Sequence, residues 1–127
     1  MIPVELETKY FVRGDNFSEL YVFYARTIME NGDEIDTPLD LTTFTSIRMD
    51  LRRGTNRRTD LIASFEVGEN LTITGDNNEE LSIDYPTSVT DKLQNGIYYR
   101  DIRFITGTTV ATYLSGKIII QENVTEL

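Results

Sequence analysis

The chain has no cysteine, no histidine and no tryptophan among its 127 residues. The lack of cysteine excludes disulfides, thiolate metal sites and a thiol nucleophile. It leaves the compartment open, because an oxidising environment permits disulfides without requiring them. The lack of histidine removes the commonest general base near neutral pH, the Ser-His triads and the usual zinc ligand. No apolar run approaches the ~20 residues that span a bilayer. The opening "MIPVELETKY" has neither a basic leader nor an apolar stretch, so no signal peptide is expected and the chain reads as made in the cytoplasm.

Positive charge is also scarce. Twelve Lys and Arg face 21 Asp and Glu, for a net charge of −9 and a pI near 4.4. Such a surface repels phosphate backbones and keeps a protein soluble. Neither a nucleic-acid nor a membrane partner is expected. Glycine-rich phosphate cradles and the GxSxG elbow are missing. No carboxylate pair is marked for glycoside chemistry. The expectation is therefore a non-enzyme with no catalytic residue, no cofactor, no metal and no small-molecule substrate.

What the sequence does contain is a period of two. In "TSIRMDLRR", Ile47, Met49 and Leu51 alternate with Arg48, Asp50 and Arg52. A half-buried strand alternates in this way because successive side chains point to opposite faces. Leu61/Ala63/Phe65/Val67, Leu71/Ile73 and Leu81/Ile83/Tyr85 repeat the pattern. "FSELYVFYAR" and "KIII" are apolar on both faces and read as central strands. Turns at Asn31-Gly32, Gly75 to Asn78, Gly96, Gly107 and Gly116 punctuate the runs. Strands are expected near 4–12, 17–26, 45–53, 61–67, 70–74, 80–85, 97–105, 108–114 and 116–122. One short helix fits near 86–94, with Pro86 at its start and Thr87 or Ser88 as cap. The acidic stretch from Thr27 to Thr43 reads as a protruding hairpin or a flexible contact surface.

The fold class this implies is all-β: a single immunoglobulin-like antiparallel β-sandwich of about 8–9 strands over residues 1–127. The expected core is Leu20, Val22, Ile47, Met49, Leu51, Phe65, Leu71, Ile73, Leu81, Ile83, Tyr98, Ile102, Phe104, Leu114, Ile118 and Ile120.

Three local patterns bear on function. Tyr98, two residues after Gly96, has the spacing of a tyrosine corner. If Tyr98 points inward, so does Arg100, which then needs a carboxylate or carbonyl partner, a bulge, an edge position or a subunit contact. Arg52, Arg53, Arg57 and Arg58 flank the turn Gly54 to Asn56, as either a solvated loop or a socket for an acidic partner surface. These four are the candidate partner-binding residues. "DNNEEL" lacks the glycine and glutamate of a calcium loop and reads as a turn. Arg13-Gly14-Asp15 spells a tripeptide read by animal adhesion receptors, but its setting is a strand-turn-strand joint.

The stretches "RGDNFSELYVFY", "LDLTTFTSIRMDLRR", "LTIT…LSIDYP" and "LQNGIYYRDIRFITGTTVATYLSGKIIIQENVT" together resemble a module of tailed bacteriophages. It is the N-terminal β-sandwich of upper baseplate proteins and related tail or head accessory proteins. Gly14, Asp15 and Phe17 match its first turn. Asp40-Leu41-Thr42 and Phe44-Thr45 match its "DLT-x-(Y/F)-T". Gly96, Tyr98, Asp101 and Ile102 match its late strand, and Gly116 its final hairpin. The resemblance implies a multicopy virion building block in the tail, neck, baseplate or head, whose partners are other virion proteins and further copies of itself. The competing expectation is a stand-alone carbohydrate- or host-surface-binding module, for which the seven tyrosines would supply contact surface. Tyr10, Tyr21, Tyr24, Tyr98, Tyr99 and Tyr113 fall in expected strands, which favours packing over a sugar platform.

Overall fold

The computed structural model describes residues 4–54 and 61–121. The chain is all-β, with eleven strands among the described residues. They are β1 (Val4–Glu5), β2 (Lys9–Val12), β3 (Phe17–Val22), β4 (Tyr24–Ile28), β5 (Glu34–Pro38), β6 (Ser46–Arg52), β7 (Leu61–Val67), β8 (Asn70–Thr74), β9 (Glu80–Tyr85), β10 (Gly96–Thr106) and β11 (Thr109–Gln121). Nine form one sheet in the order β1-β11-β10-β6-β7-β8-β9-β3, with β2 also on β11. Strands β4 and β5 form a separate ribbon. The sheet is mostly antiparallel, but β1 and β2 run parallel to β11, and β7 runs parallel to β8.

The sheet folds over on itself at the β7–β8 corner. There Gly68 and Asn70 both take positive φ, at 94° and 72°, so the chain turns within two residues. Only Glu66↔Asn70 and Val67↔Leu71 pair across this corner. The faces so opposed enclose one apolar core. Ile47, Met49, Leu51, Ile102 and Phe104 come from one side, and Leu71, Leu81, Ile83 and Tyr85 from the other. Each such side chain contributes about 1.5–3 kcal/mol by leaving water. The two free edges, β2 and β3, are brought near one another, and the rings of Phe11 and Phe17 stack across them.

Several sequence expectations change. Leu20 and Val22 lie outside the core, 54% and 45% exposed. The inward residues of β3 are Phe17, Glu19 and Tyr21, and β3 is an edge strand, not a central one. A strand apolar on both faces gives no parity, and a shift of one residue reverses every side chain. Leu41, Tyr85 and Leu93 join the core, and Ile73 is half-buried against it. The first expected strand divides into β1 and β2. The second divides at Phe23, whose ring meets Phe104 edge-on at 5.4 Å. The last two are one strand, β11, with Gly116 inside it. Gly116 is small because Leu6 lies over it: an added Cβ would sit 2.9 Å from the Leu6 Cβ. The helix is a single turn, α1 (Thr87–Thr90), entered through Pro86 without a side-chain cap.

The Thr27–Thr43 stretch does form a hairpin. Gly32 donates to the Met29 carbonyl at 2.9 Å and takes φ of 90°, and Met29 donates to the Asp33 carbonyl at 2.7 Å. This is a three-residue loop closed by a left-handed glycine, as Asn31-Gly32 implied. The Tyr98 side chain is buried, and its hydroxyl donates to the Gln94 carbonyl at 2.8 Å. That bond fixes how the chain enters β10. We expect Tyr98→Phe to lower stability by about 1 kcal/mol or more. The check is the urea midpoint at unchanged slope, and an unmoved midpoint would deny the bond any structural weight.

Candidate functional site

Two charge clusters dominate the molecule, one on each face of β10. On the inner face, Tyr98, Arg100, Ile102 and Phe104 alternate with the outward residues of the strand. Tyr98 points inward and Arg100, two residues on, is fully buried beside it. Its partner is Glu19 of β3, from the opposite side of the core. One guanidinium nitrogen meets Glu19 Oε1 and the Tyr85 hydroxyl, the latter at 2.8 Å. The other meets Glu19 Oε2 at 3.1 Å and the Tyr21 hydroxyl at 3.2 Å. Tyr21 and Tyr85 also donate to the carboxylate, at 2.5 and 3.0 Å. Both terminal nitrogens of the buried arginine are thus answered within the fold, by a forked ion pair and two tyrosine hydroxyls, and its Nε is left without a partner.

Burial alone would raise the Glu19 pKa, but the hydrogen bond and charge of Arg100 outweigh it, helped by Tyr21 and Tyr85. The net effect holds the carboxyl below its ordinary 4.5. Burial and the Glu19 bond push Tyr21 up to about 12. Burial raises Tyr85 as well. Burial works against the charge of Arg100, yet Tyr85 and Glu19 raise its pKa overall. A carboxylate has about four acceptor sites, and all four of those on Glu19 are taken. A general acid or base needs a free site and a pKa near the working pH. A cavity of about 270 Å³ opens beside it, lined by Lys9, Phe11, Ser18, Glu19, Leu20 and Tyr21. The Glu19 cluster links the two halves of the sheet.

The outer face carries Arg48, Asp50 and Arg52 of β6 with Asp101 and Arg103 of β10. Asp50 accepts from Arg48 at 2.9 Å and Ser64 at 2.8 Å, and it pairs with Arg103. Burial raises the Asp50 carboxyl, but Ser64, Arg48 and Arg103 bring it below its ordinary value. Arg52 makes a forked pair with Asp101 at 3.0–3.1 Å. It is buried.

This changes the reading of the basic tip. Arg52 is enclosed by its own carboxylates and offers no charge to a partner. Arg53 is exposed, but it donates to the Tyr98 hydroxyl at 2.7 Å and the Asn95 carbonyl at 3.2 Å, with its guanidinium over the Tyr98 ring. Arg57 and Arg58 lie outside the described residues. The structure therefore does not bring Arg52 and Arg53 together as an open socket. Arg52 ends β6 and Arg53 opens the bend that follows, so the two side chains go to different partners, which a count of arginines cannot register.

The Arg13-Gly14-Asp15 turn is tied into the fold. Asp15 donates to the Val12 carbonyl at 3.2 Å, with Gly14 at φ of 87° between them. Arg13 donates to the Asp91 carbonyl at 3.1 Å, and Thr90 donates to the Asp15 carbonyl at 2.9 Å. The "DNNEEL" stretch is the β8–β9 turn, closed by Asn78 donating to the Gly75 carbonyl at 3.2 Å. The tyrosines divide. Tyr85 and Tyr98 are buried, but Tyr10 is 62% and Tyr24 58% exposed. Falling in a strand did not mean packing inward.

No family model matches this chain, and no curated protein does. Among solved structures it is similar in part to a family 123 glycoside hydrolase from Clostridium perfringens, described for glycolipid glycan hydrolysis. The identity is 15% and the TM-score 0.36, over 95% of this chain and 24% of that one.

Two outcomes follow from the Glu19–Arg100 pair. Arg100→Met alone should cost about 3–5 kcal/mol, because it leaves a buried carboxylate unpaired. The double variant Glu19→Leu/Arg100→Met should recover most of that loss. Denaturant unfolding of the single and double variants measures it, and a double variant no better than the single would show that pairing is not the issue. The pH response has a fixed sign. Glu19 and Asp50 both have folded pKa values below their unfolded ones, so they stabilise above the carboxylate range and cease to do so as pH falls through it. Urea midpoints should hold steady near neutrality and drop in acid, less steeply for Glu19→Gln.

Proposed function

We propose that this chain is a non-enzymatic structural component of a bacteriophage virion, acting by protein–protein assembly in the tail, neck, baseplate or head. The observation that carries this reading is the β4–β5 ribbon. Every residue of both strands is exposed. A two-stranded ribbon with both faces in water is marginal by itself. Such a ribbon is ordered most effectively by another surface. The buried charges of Glu19 and Arg100, and of Arg52 and Asp101, are paired with one another inside the fold.

The finer fold reading is an immunoglobulin-like sandwich. The folded-over sheet and the Tyr98–Gln94 corner bond support it. The sequence resemblance to the phage module supports the same direction, since Asp40, Leu41 and Gly14 do shape turns here. Asp40 accepts from the Thr42 amide at 2.9 Å and caps the short 3₁₀ turn Leu41–Thr43, which seats Leu41 in the core. The chain would then reside in the virion after synthesis in the host cytoplasm, with other virion proteins and further copies of itself as partners. Arg53, Arg57 and Arg58 remain candidate contacts in that setting. A second reading, a carbohydrate- or host-surface-binding module, draws on the exposed rings of Tyr10 and Tyr24.

Mass spectrometry of purified particles should find the chain in fixed ratio to the other particle proteins. Its absence from particles, together with saturable glycan-array binding lost in Tyr10→Ala or Tyr24→Ala, would replace the first reading by the second.

A further inference from the structure

The ribbon and the opposite end of the sheet carry complementary surfaces. The ribbon with its loop holds Glu30, Asp33, Glu34 and Asp36 against a single arginine, Arg26. Arg26 is occupied across the ribbon by Asp36 at 2.9 Å and Glu34 at 3.3 Å. Ile28 stands 70% exposed beside them, and Met29 and Ile35 are exposed too. The ribbon is therefore an acidic arm with apolar side chains along it.

At the other end, three neighbouring strands put apolar residues in one outward row. Tyr10 of β2 pairs in register with Ile119 of β11, which pairs with Ile97 of β10. Ile118, Ile120 and Tyr98 face the core, so Ile119 and Ile97 face out. Tyr99 and Lys117 form the next row, with the ammonium 5.8 Å from the ring centre. This is an apolar strip bordered by the Lys117 ammonium, on a chain of net charge −9.

The two surfaces cannot be partners within one molecule by adjacency. The ribbon leaves the fold at Phe23, against Phe104, and the strip centres on Ile97. Seven residues of extended β10 separate these points, roughly 23 Å. We propose that the acidic ribbon of one copy docks on the Tyr10–Ile119–Ile97 strip of the next, head to tail. Two different patches then meet, so the contact is heterologous and generates a ring or a filament rather than a two-fold dimer. Apolar contact would supply the affinity, and the sign of the charges would set the orientation. This inference rests on the reading of the chain as an assembly component and names the surface it would use.

Sedimentation of the full chain over a range of concentration and salt tests the contact. The wild type should self-associate, more weakly as salt rises. A ribbon variant, Ile28→Lys/Glu30→Lys, and a strip variant, Ile97→Glu/Lys117→Glu, change only exposed positions. Each alone should associate roughly tenfold more weakly or worse. Mixed together they should associate again as pairs, because the unchanged ribbon of the strip variant then meets the unchanged strip of the ribbon variant. A wild type monomeric at every concentration overturns the contact. So does a mixture that does not recover, or a strip variant that associates normally while the ribbon variant does not, which would mark a two-fold ribbon contact. None of these results bears on whether the chain is found in purified particles, which decides the broader reading separately.

Discussion

The Glu19–Arg100 ion pair is the constraint around which the remaining structure is arranged. It joins the outermost strand of one half of the sheet to the centre of the other. A buried guanidinium is tolerated only when nearly all its donors are answered. That demand brings Tyr21 and Tyr85 to the same point and turns β3 so that Glu19 and Tyr21 face inward. Leu20 and Val22 are then forced outward. The exposure of two large apolar residues is thus a consequence of placing one charge, not a failure of packing.

The same demand explains what could be read in the sequence and what could not. Strands β6, β8 and β9 were legible because one of their faces is plainly apolar and period two is unambiguous there. The inward turn of Arg100 was legible only as a condition, since it followed if Tyr98 pointed inward. Its partner was not. Glu19 lies 81 residues away, and β3 is apolar on both parities, so nothing local marks the glutamate as internal. The failure at Gly116 has a related cause. A glycine that admits a neighbouring side chain looks the same in sequence as one that makes a turn, and only the position of Leu6 separates the two.

The candidate site shows the limit more sharply. Four arginines near one turn look like a single feature when counted along the chain. In the fold, Arg52 and Arg53 serve different structures: one closes a pair with Asp101 on the outer face, and the other holds the entrance to β10 through Tyr98. The residues left to meet other molecules are mostly apolar or acidic. Tyr10, Ile28 and Ile97 were unremarkable as letters, because exposure depends on which face a strand turns outward and on whether another layer covers that face.

The unbonded seam between β2 and β3 has a mechanical meaning. Elsewhere neighbouring strands of the main sheet share a backbone ladder, but these two edges meet through the rings of Phe11 and Phe17 and the tied turn between them. Side-chain contacts yield over shorter distances than a ladder and need not break together. Tension applied along the amino-terminal strands would therefore part the molecule here first, while β6, β10 and β11 stayed zipped. The fold has a stiff spine and one compliant side, and a neighbour gripping that side would feel a hinge rather than a wall.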